Sequence, residues 1–394
     1  MQMTQYNFDQ TVDRRGSGCV KWDEMPAADI IPLWVADMDF PAAPAILRAM
    51  QRRLDHGVFG YTQVQDEYYE AIVSWFGRRH GWDIRREWIQ YTTGVVPAMS
   101  AIIRAMTRPG DAVVTLTPVY NCFFSCIRNQ GCATVECPLD YANGRYTIDF
   151  DALERCLEPQ EVKLMLLCNP HNPVGRLWRR DELERVSALC LKHGVVVVSD
   201  EIHCEFTYNG QHYQPFATVS EAAREGSIVC TAASKAFNIA GLQTANIVCT
   251  HPEWRQKIDR AINDMEICDL NPFGPVALMA AYNESGDWLD QLNRHTWENY
   301  LALKGHLDDT LPQAVVTPLE ATYLAWVNVR PYCERMGLDC RDLSVRLRDE
   351  ARVAFSCGTL YGAAGEGFLR VNLACPKTLL EEGMRRMTDW MNKQ

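Results

Sequence analysis

Residues 227–242 run Ser-Ile-Val-Cys-Thr-Ala-Ala-Ser-Lys-Ala-Phe-Asn-Ile-Ala-Gly-Leu, an apolar strand that delivers one lysine, Lys235, into a Ser-Lys-x-Phe-Asn-x-x-Gly turn. A lysine in that position calls for a chemical role. Upstream lie Asn169-Pro-His-Asn-Pro-Val-Gly175 and Val195-Val-Val-Val-Ser-Asp-Glu-Ile-His203, the second with an acid, Asp200, closing a buried strand. Together the three segments point to a pyridoxal 5′-phosphate (PLP) site, in which a lysine holds the cofactor as a Schiff base and an aspartate pairs with its pyridinium nitrogen.

These residues need a scaffold that brings strand ends together. Helical periodicity covers Glu67–Arg79, Val96–Met106 and Asp181–His193, the last with Leu183, Val186, Leu189 and Cys190 on one face and acids in its first turn. Short apolar runs fall between helices at Ala112–Leu116, Leu164–Cys168, Val195–Ser199, Ile228–Thr231 and Ala245–Cys249. Continuous rather than alternating hydrophobicity predicts a mainly parallel sheet covered on both faces, with ligands at the carboxyl ends of its strands. Lys235, Asp200 and Asn172 each follow such an end. The phosphate of a cofactor wants backbone donors at a helix N-terminus, and Thr93-Gly-Val-Val-Pro97 offers Gly94, Val95 and Val96 for that cradle.

After about residue 285 the pattern changes to a long helix from Trp288 to about Thr310, strand-like Thr322–Val329, a helix around Leu343–Ala351, strand-like Phe368–Ala374 and an amphipathic helix Leu379–Met391. The expected organisation is an arm over 1–48 that completes a small α+β domain at 286–394, and a large cofactor-binding domain at 49–285. No repeat or low-complexity linker interrupts it.

Composition narrows the class. The 394 residues, 47% hydrophobic with a formal charge of −11, fit an acidic enzyme with a large core and argue against nucleic-acid or anionic-membrane partners. No run of about 18 uncharged apolar residues is present, and Met1–Asp13 lacks the pattern of a secretory signal. Sixteen cysteines without a repeated CxxC spacing imply reduced core thiols and a cytoplasmic location. Cys122 and Cys126, four apart on a predicted helix, are a conceivable metal pair, but no metal site is expected.

The motifs resemble fold-type I PLP enzymes of the aspartate-aminotransferase superfamily and, more narrowly, the MalY/PatB family of cystathionine β-lyases (C–S lyases). The likeness runs nearly end to end, through Val12–Asp23, Trp34-Val-Ala-Asp-Met-Asp-Phe40, His56–Thr62, Asn169–Gly175, Ser199–His203, Ser234–Gly241, Ala321–Trp326 and Gly367–Leu373. It implies a mainly parallel large domain, a smaller α+β domain, and a homodimer with composite sites.

The resemblance also assigns roles. Lys235 would carry the cofactor and remove the substrate Cα proton, Asp200 would keep the pyridine nitrogen protonated, and Asn172 and His203 would lie at the phenolic oxygen. Tyr120 would stack on the ring, Ser234 and Thr231 would add hydroxyls at the phosphate, and Tyr61 would reach the phosphate from the partner subunit. Arg370 would grip the substrate carboxylate, with Asn172 and Tyr120 beside it and Asp37 on the substrate side. Blander accounts stand beside these: a helix cap for Asp200, a turn for Asn172, core packing for His203 and Tyr120, backbone satisfaction for Thr231 and Ser234, an internal salt bridge for Arg370, and a solvated loop for Asp37. Two departures stand out. Gln243 occupies the position where aminotransferases carry a phosphate-binding arginine, and Asn121-Cys122 follows Tyr120 where other residues are usual.

The activity implied is β-elimination on L-cystathionine or a related S-substituted L-cysteine. An aminotransferase uses the same lysine, and a PLP-binding regulatory protein would retain the same site.

Overall fold

A computed structural model describes residues 5–394, so the first four residues of the expected N-terminal arm lie outside them. A seven-stranded sheet carries, in spatial order, Ile89–Thr92, Ala245–Cys249, Ser227–Thr231, Val196–Asp200, Val162–Cys168, Ala112–Thr117 and Ala133–Pro138. The five strands from Ser227–Thr231 to Ala133–Pro138 are parallel, whereas Ala245–Cys249 runs antiparallel to both neighbours. Every residue of Ala112–Thr117 and Ser227–Thr231 is buried, as strands covered on two faces require.

One face packs Val95–Met106, Cys122–Asn129 and Pro252–Asp264 around Val113, Leu164, Val198 and Ile228. The opposite face holds Leu153, Leu183, Val186 and Phe216 against Val114, Met165 and Val197. Along each strand, neighbouring residues therefore serve different cores.

A second, antiparallel sheet orders Val315–Val316, Leu324–Asn328, Phe368–Asn372 and Ser356–Cys357. Helices Gly286–Thr310 and Lys377–Met391 pack on one another beside it. The arm joins this region through a parallel pair, Ile31–Pro32 on Val353–Ala354. The expected helices and strands occur with small shifts of their ends, but the edge strands Ile89–Thr92 and Ala133–Pro138 and the helices Pro44–His56, Pro252–Asp264 and Gly274–Glu284 add to them. Ala133–Pro138 buries only one of its residues fully, so it lacks the apolar run that marks a central strand.

The two sheets are tied behind the site by a buried ion-pair cluster. Arg176 Nη2 donates to both carboxylate oxygens of Glu182 at 2.7 and 2.9 Å, while Nη1 lies 3.4 Å from Glu320 Oε2. Glu320 also accepts from the backbone of Leu177 at 3.1 Å and pairs with Arg145. Because Arg176 is 1% exposed, removing its main partner leaves an uncompensated buried charge. Glu182→Ala is expected to cost about 3–5 kcal/mol in denaturant unfolding, while Glu184→Ala, half-exposed on the same helix, changes stability by less than about 0.5 kcal/mol. Equal effects of the two would show that the buried charge of Arg176 does not depend on Glu182.

Candidate active site

The strand Ser227–Thr231 ends in the middle of the large sheet, and the chain turns at once. Phe237 N–H donates to Ala233 O at 3.0 Å and Ile239 N–H to Ser234 O at 3.0 Å, with Ala236 and Phe237 fully buried behind the turn. Lys235 is thereby directed to the front, where its Nζ donates to Ala36 O at 2.7 Å. Burial, reinforced by the positive charge of Arg370, pulls the Lys235 amine down to about 8.

Asp200 closes the adjacent strand at 2% exposure and accepts one bond, from Ile202 N–H at 3.1 Å. It forms no ion pair among the described residues, and burial raises its carboxyl to about 7. Asn172 follows the next strand. Its Oδ1 accepts from Arg370 Nη1 at 3.2 Å, and its N–H points at Cys168 Sγ, 3.4 Å away.

Arg370 lies on the central strand of the small sheet, 5% exposed. Its Nη2 donates to Trp34 O at 2.9 Å and approaches Ser356 Oγ at 3.5 Å, its guanidinium sits 4.8 Å from the Tyr361 ring centroid, and its Nε is buried without a partner. No carboxylate meets it among the described residues. This removes the internal salt bridge as its explanation, since a buried guanidinium without an anion is costly.

Lys235, Asp200, Asn172, Tyr120, His203 and Ser234 line one cavity of about 180 Å³, together with the first turn of the helix Val95–Met106. Gly94 is the N-cap of that helix and Pro97 sits in its first turn, so the N–H groups of Val95 and Val96 face outward from the helix end, where an anion is favoured. His203 is 2% exposed; burial, then the charges of Lys235 and Arg370, hold it well below the usual histidine range, so it is neutral, and its Nδ1 has no partner. Burial raises the Tyr120 hydroxyl, which stays protonated.

Other residues singled out in the sequence lie off the wall of this chain's own cavity. Thr231 is fully buried beneath the turn rather than on the cavity wall, and its Oγ1 is unpartnered. Tyr61 is 100% exposed, away from this chain's own cavity. Asp37 turns to Arg14, whose Nη2 donates to its Oδ2 at 2.7 Å. Gln243 is exposed at φ +49° and contributes nothing to the cavity. Cys122 and Cys126 share the helix Cys122–Asn129, but the one group of three metal-type donors among the described residues is His80, Cys204 and Glu205, and that glutamate is taken up by Trp75, Arg79 and His80.

Sequence reasoning missed the residues that hold the site closed. Tyr323 Oη donates to Ala36 O at 2.8 Å, and Asn372 Nδ2 donates to both Val35 O and Asp37 O at 2.6 Å. Asn238, at φ +55°, accepts from Met38 N–H and donates to Met38 O and Phe40 O. An asparagine beside a key lysine was a usable signal, because asparagine tolerates that left-handed conformation.

The aminotransferase class I and II family model matches residues 28–387. The chain belongs to that family. Within it, the chain is 40% identical to cystathionine β-lyase PatB of Bacillus subtilis, over 97% of this chain and 98% of that protein, and 34% identical to protein MalY of Escherichia coli, over 96% and 97%. Among solved structures it matches cystalysin of Treponema denticola, a structure containing pyridoxal 5′-phosphate, with TM-score 0.95 and 34% identity over 99% of this chain and 100% of that one. A PLP-bound C–S lyase of Staphylococcus hominis matches with TM-score 0.92 and 32% identity over 99% and 100%. The fold is therefore the aminotransferase class I and II fold, and the MalY/PatB resemblance extends over nearly the whole chain.

The buried atoms fit that cofactor. Asp200 lacks a cationic partner, His203 Nδ1 and Arg370 Nε lack any partner, and a helix N-terminus opens on the same space. The unpaired acid has a thermodynamic consequence. The folded carboxyl keeps its proton up to about pH 7, whereas a free aspartate loses it near 3.8, so the cofactor-free protein loses stability as pH rises across that window. Asp200→Asn is expected to raise the cofactor-free melting temperature at pH 8 relative to wild type, with the difference vanishing below about pH 4, while it weakens cofactor retention. A lower melting temperature at pH 8 would show that the carboxylate is already well solvated.

Proposed function

We propose that this protein is a PLP-dependent carbon–sulfur lyase acting by β-elimination on L-cystathionine or a related S-substituted L-cysteine. The observation that carries the reading is the buried, anion-free guanidinium of Arg370 donating to Asn172, which lines a cavity together with Lys235 and Asp200. The PatB and cystalysin relationships support it.

Lys235 would hold the cofactor's aldehyde carbon and Asp200 would pair with its pyridine nitrogen. Asn172 and neutral His203 would lie at its phenolic oxygen, with Tyr120 against the ring. Gly94, Val95, Val96 and Ser234 would hold the phosphate. Bound there, the cofactor supplies a sink for the electron pair left on the substrate Cα.

The chain's own groups do the rest. Arg370 binds the α-carboxylate in a two-pronged grip and so orients the Cα–H bond. Lys235 Nζ, whose bond to the cofactor would pass to the substrate's amine, is then free, and with its proton affinity lowered by burial it takes the Cα proton. The Cβ–S bond then breaks, the sulfur leaves with its electron pair and gains a proton, and the released enamine hydrolyses to pyruvate and ammonia.

Our reading includes a homodimer, supported by the exposed apolar side chains of Val58, Phe59 and Tyr61 on one segment. Tyr61 would reach the phosphate of the partner's site, and activity lost on dilution to monomer checks this. Sixteen cysteines, all unpaired, support a cytoplasmic location, which cell fractionation tests. The division into a large unit and a small unit with its arm is supported by the two separate sheets, with the first boundary moved from residue 48 to the start of the helix Pro44–His56.

Purified protein supplied with PLP and L-cystathionine should release pyruvate and free thiol in equal amounts without a keto acid. Amino transfer to a keto acid with no thiol release would make it an aminotransferase instead. Arg370→Lys should keep the cofactor's visible absorbance yet lower kcat/KM by about 10²-fold, because a point charge cannot reproduce the planar fork. Loss of that absorbance in the lysine variant would mean that Arg370 serves the cofactor rather than the substrate.

A further inference from the structure

Residues 34–38 lie across the front of the cavity with their carbonyls turned toward donors. Trp34 O accepts from Arg370 and Val35 O from Asn372, while Ala36 O accepts from both Lys235 and Tyr323. Asp37 O accepts from Asn372 at 2.6 Å and from Lys21 Nζ at 3.3 Å, and Met38 O accepts from Asn238 at 3.0 Å and Arg14 Nη1 at 3.0 Å. The two cations of the proposed chemistry thus rest on alternate carbonyls of one short strap. A shift of the strap would move both.

Holding that strap from the far side is a cluster of four charges. Lys21 is fully buried, with Nζ 2.7 Å from Asp39 Oδ2 and 3.7 Å from Asp37 Oδ1. Asp39, 2% exposed, also accepts from Trp22 Nε1 at 2.8 Å and from Arg14 Nη1 at 2.7 Å. Arg14 forks onto Asp37 with Nη2 as well, at 2.7 Å, and the same nitrogen reaches Cys19 Sγ at 2.7 Å. The two cations and two carboxylates balance, and their partners come from residues 14–23, a segment that does not touch the cavity. With Lys21 and Asp39 buried at its centre, this closed charge cluster costs desolvation that is repaid only by tight geometry, so it favours one strap position.

We propose that Arg14, Lys21 and Asp39 are positioning residues: they fix the carbonyls of residues 34–38 and, through them, the orientation of Arg370 and Lys235 toward the substrate. The inference rests on the lyase reading for the identity of the substrate carboxylate. It also gives the Val12–Asp23 motif and Asp37 a role, since Asp37 then acts on the substrate side through the strap. Arg14 is the best place to test it. Its side chain is 19% exposed, and lysine there retains the charge while losing the fork that joins Asp37, Met38 O and Asp39.

The experiment compares wild type with Arg14→Lys in two measurements. Hydrogen exchange of the peptide covering residues 33–40, on protein without added PLP, should quicken several-fold in the variant and stay unchanged in the sheet strands. On PLP-loaded protein, KM for L-cystathionine should rise about three- to tenfold and kcat should fall by a similar factor, since both the carboxylate clamp and the base rest on the strap. Lys21→Met/Asp39→Leu, which removes the inner pair together, should repeat the KM effect with its melting temperature recorded alongside. Unchanged exchange over 33–40 in Arg14→Lys, or faster exchange with unchanged KM, would overturn the proposal. Failure of wild type to bind PLP or to release thiol would instead strike the lyase reading, leaving the exchange result to judge the strap.

Discussion

Arg370 is a fixed positive charge taken out of water without an anion to meet it, and the surrounding groups are arranged around that deficit. A guanidinium cannot give up its proton to escape burial, so its neighbours must adapt. Asn172 Oδ1 and Trp34 O lend partial negative charge. Two titratable groups hold their protons less tightly: Lys235 is drawn down to about 8 and His203 is kept neutral, in each case by burial first and nearby positive charge second. On the cavity wall Asp200 is an acid without a cationic partner. Opposite deficits, Asp200 on the cavity wall and Arg370 bonded to the wall residue Asn172, are what a zwitterionic substrate and a cationic ring would fill.

Two architectural choices make the arrangement possible. Parallel strands bring Asp200, Asn172 and Lys235 to one edge of the large sheet, while an antiparallel strand of the other sheet contributes Arg370, so the proposed cofactor-binding and carboxylate-binding groups come from different sheets. The Arg176–Glu182–Glu320 cluster and the strap at 34–38 join those sheets behind and in front of the cavity. Both joints are buried and polar, which favours a defined register over maximal stability.

Much of this was legible in the sequence because the large sheet is built of continuous apolar runs, and because Ser-Lys, Asn-Pro-His-Asn-Pro and Ser-Asp-Glu-Ile-His each sit where a run stops. The strand direction of Ala245–Cys249 was not legible: an apolar run reads the same in either orientation, and only pairing with Ile89–Thr92 and Ser227–Thr231 sets it. The strap was legible only as the Trp34–Phe40 motif and an acid on the substrate side, since its contribution comes from backbone carbonyls, which carry no residue signature. Asp37 illustrates the limit from the other side. Its type suggested substrate contact, whereas its carboxylate is committed to Arg14, a residue 23 positions away that no local pattern links to it.

The central claim is that Lys235 is the amine that carries the cofactor. Protein loaded with PLP, reduced with borohydride and digested should yield a single labelled peptide, modified at Lys235 and lost in Lys235→Ala. A label on any other lysine, or none at all on protein that still turns over cystathionine, would contradict the account.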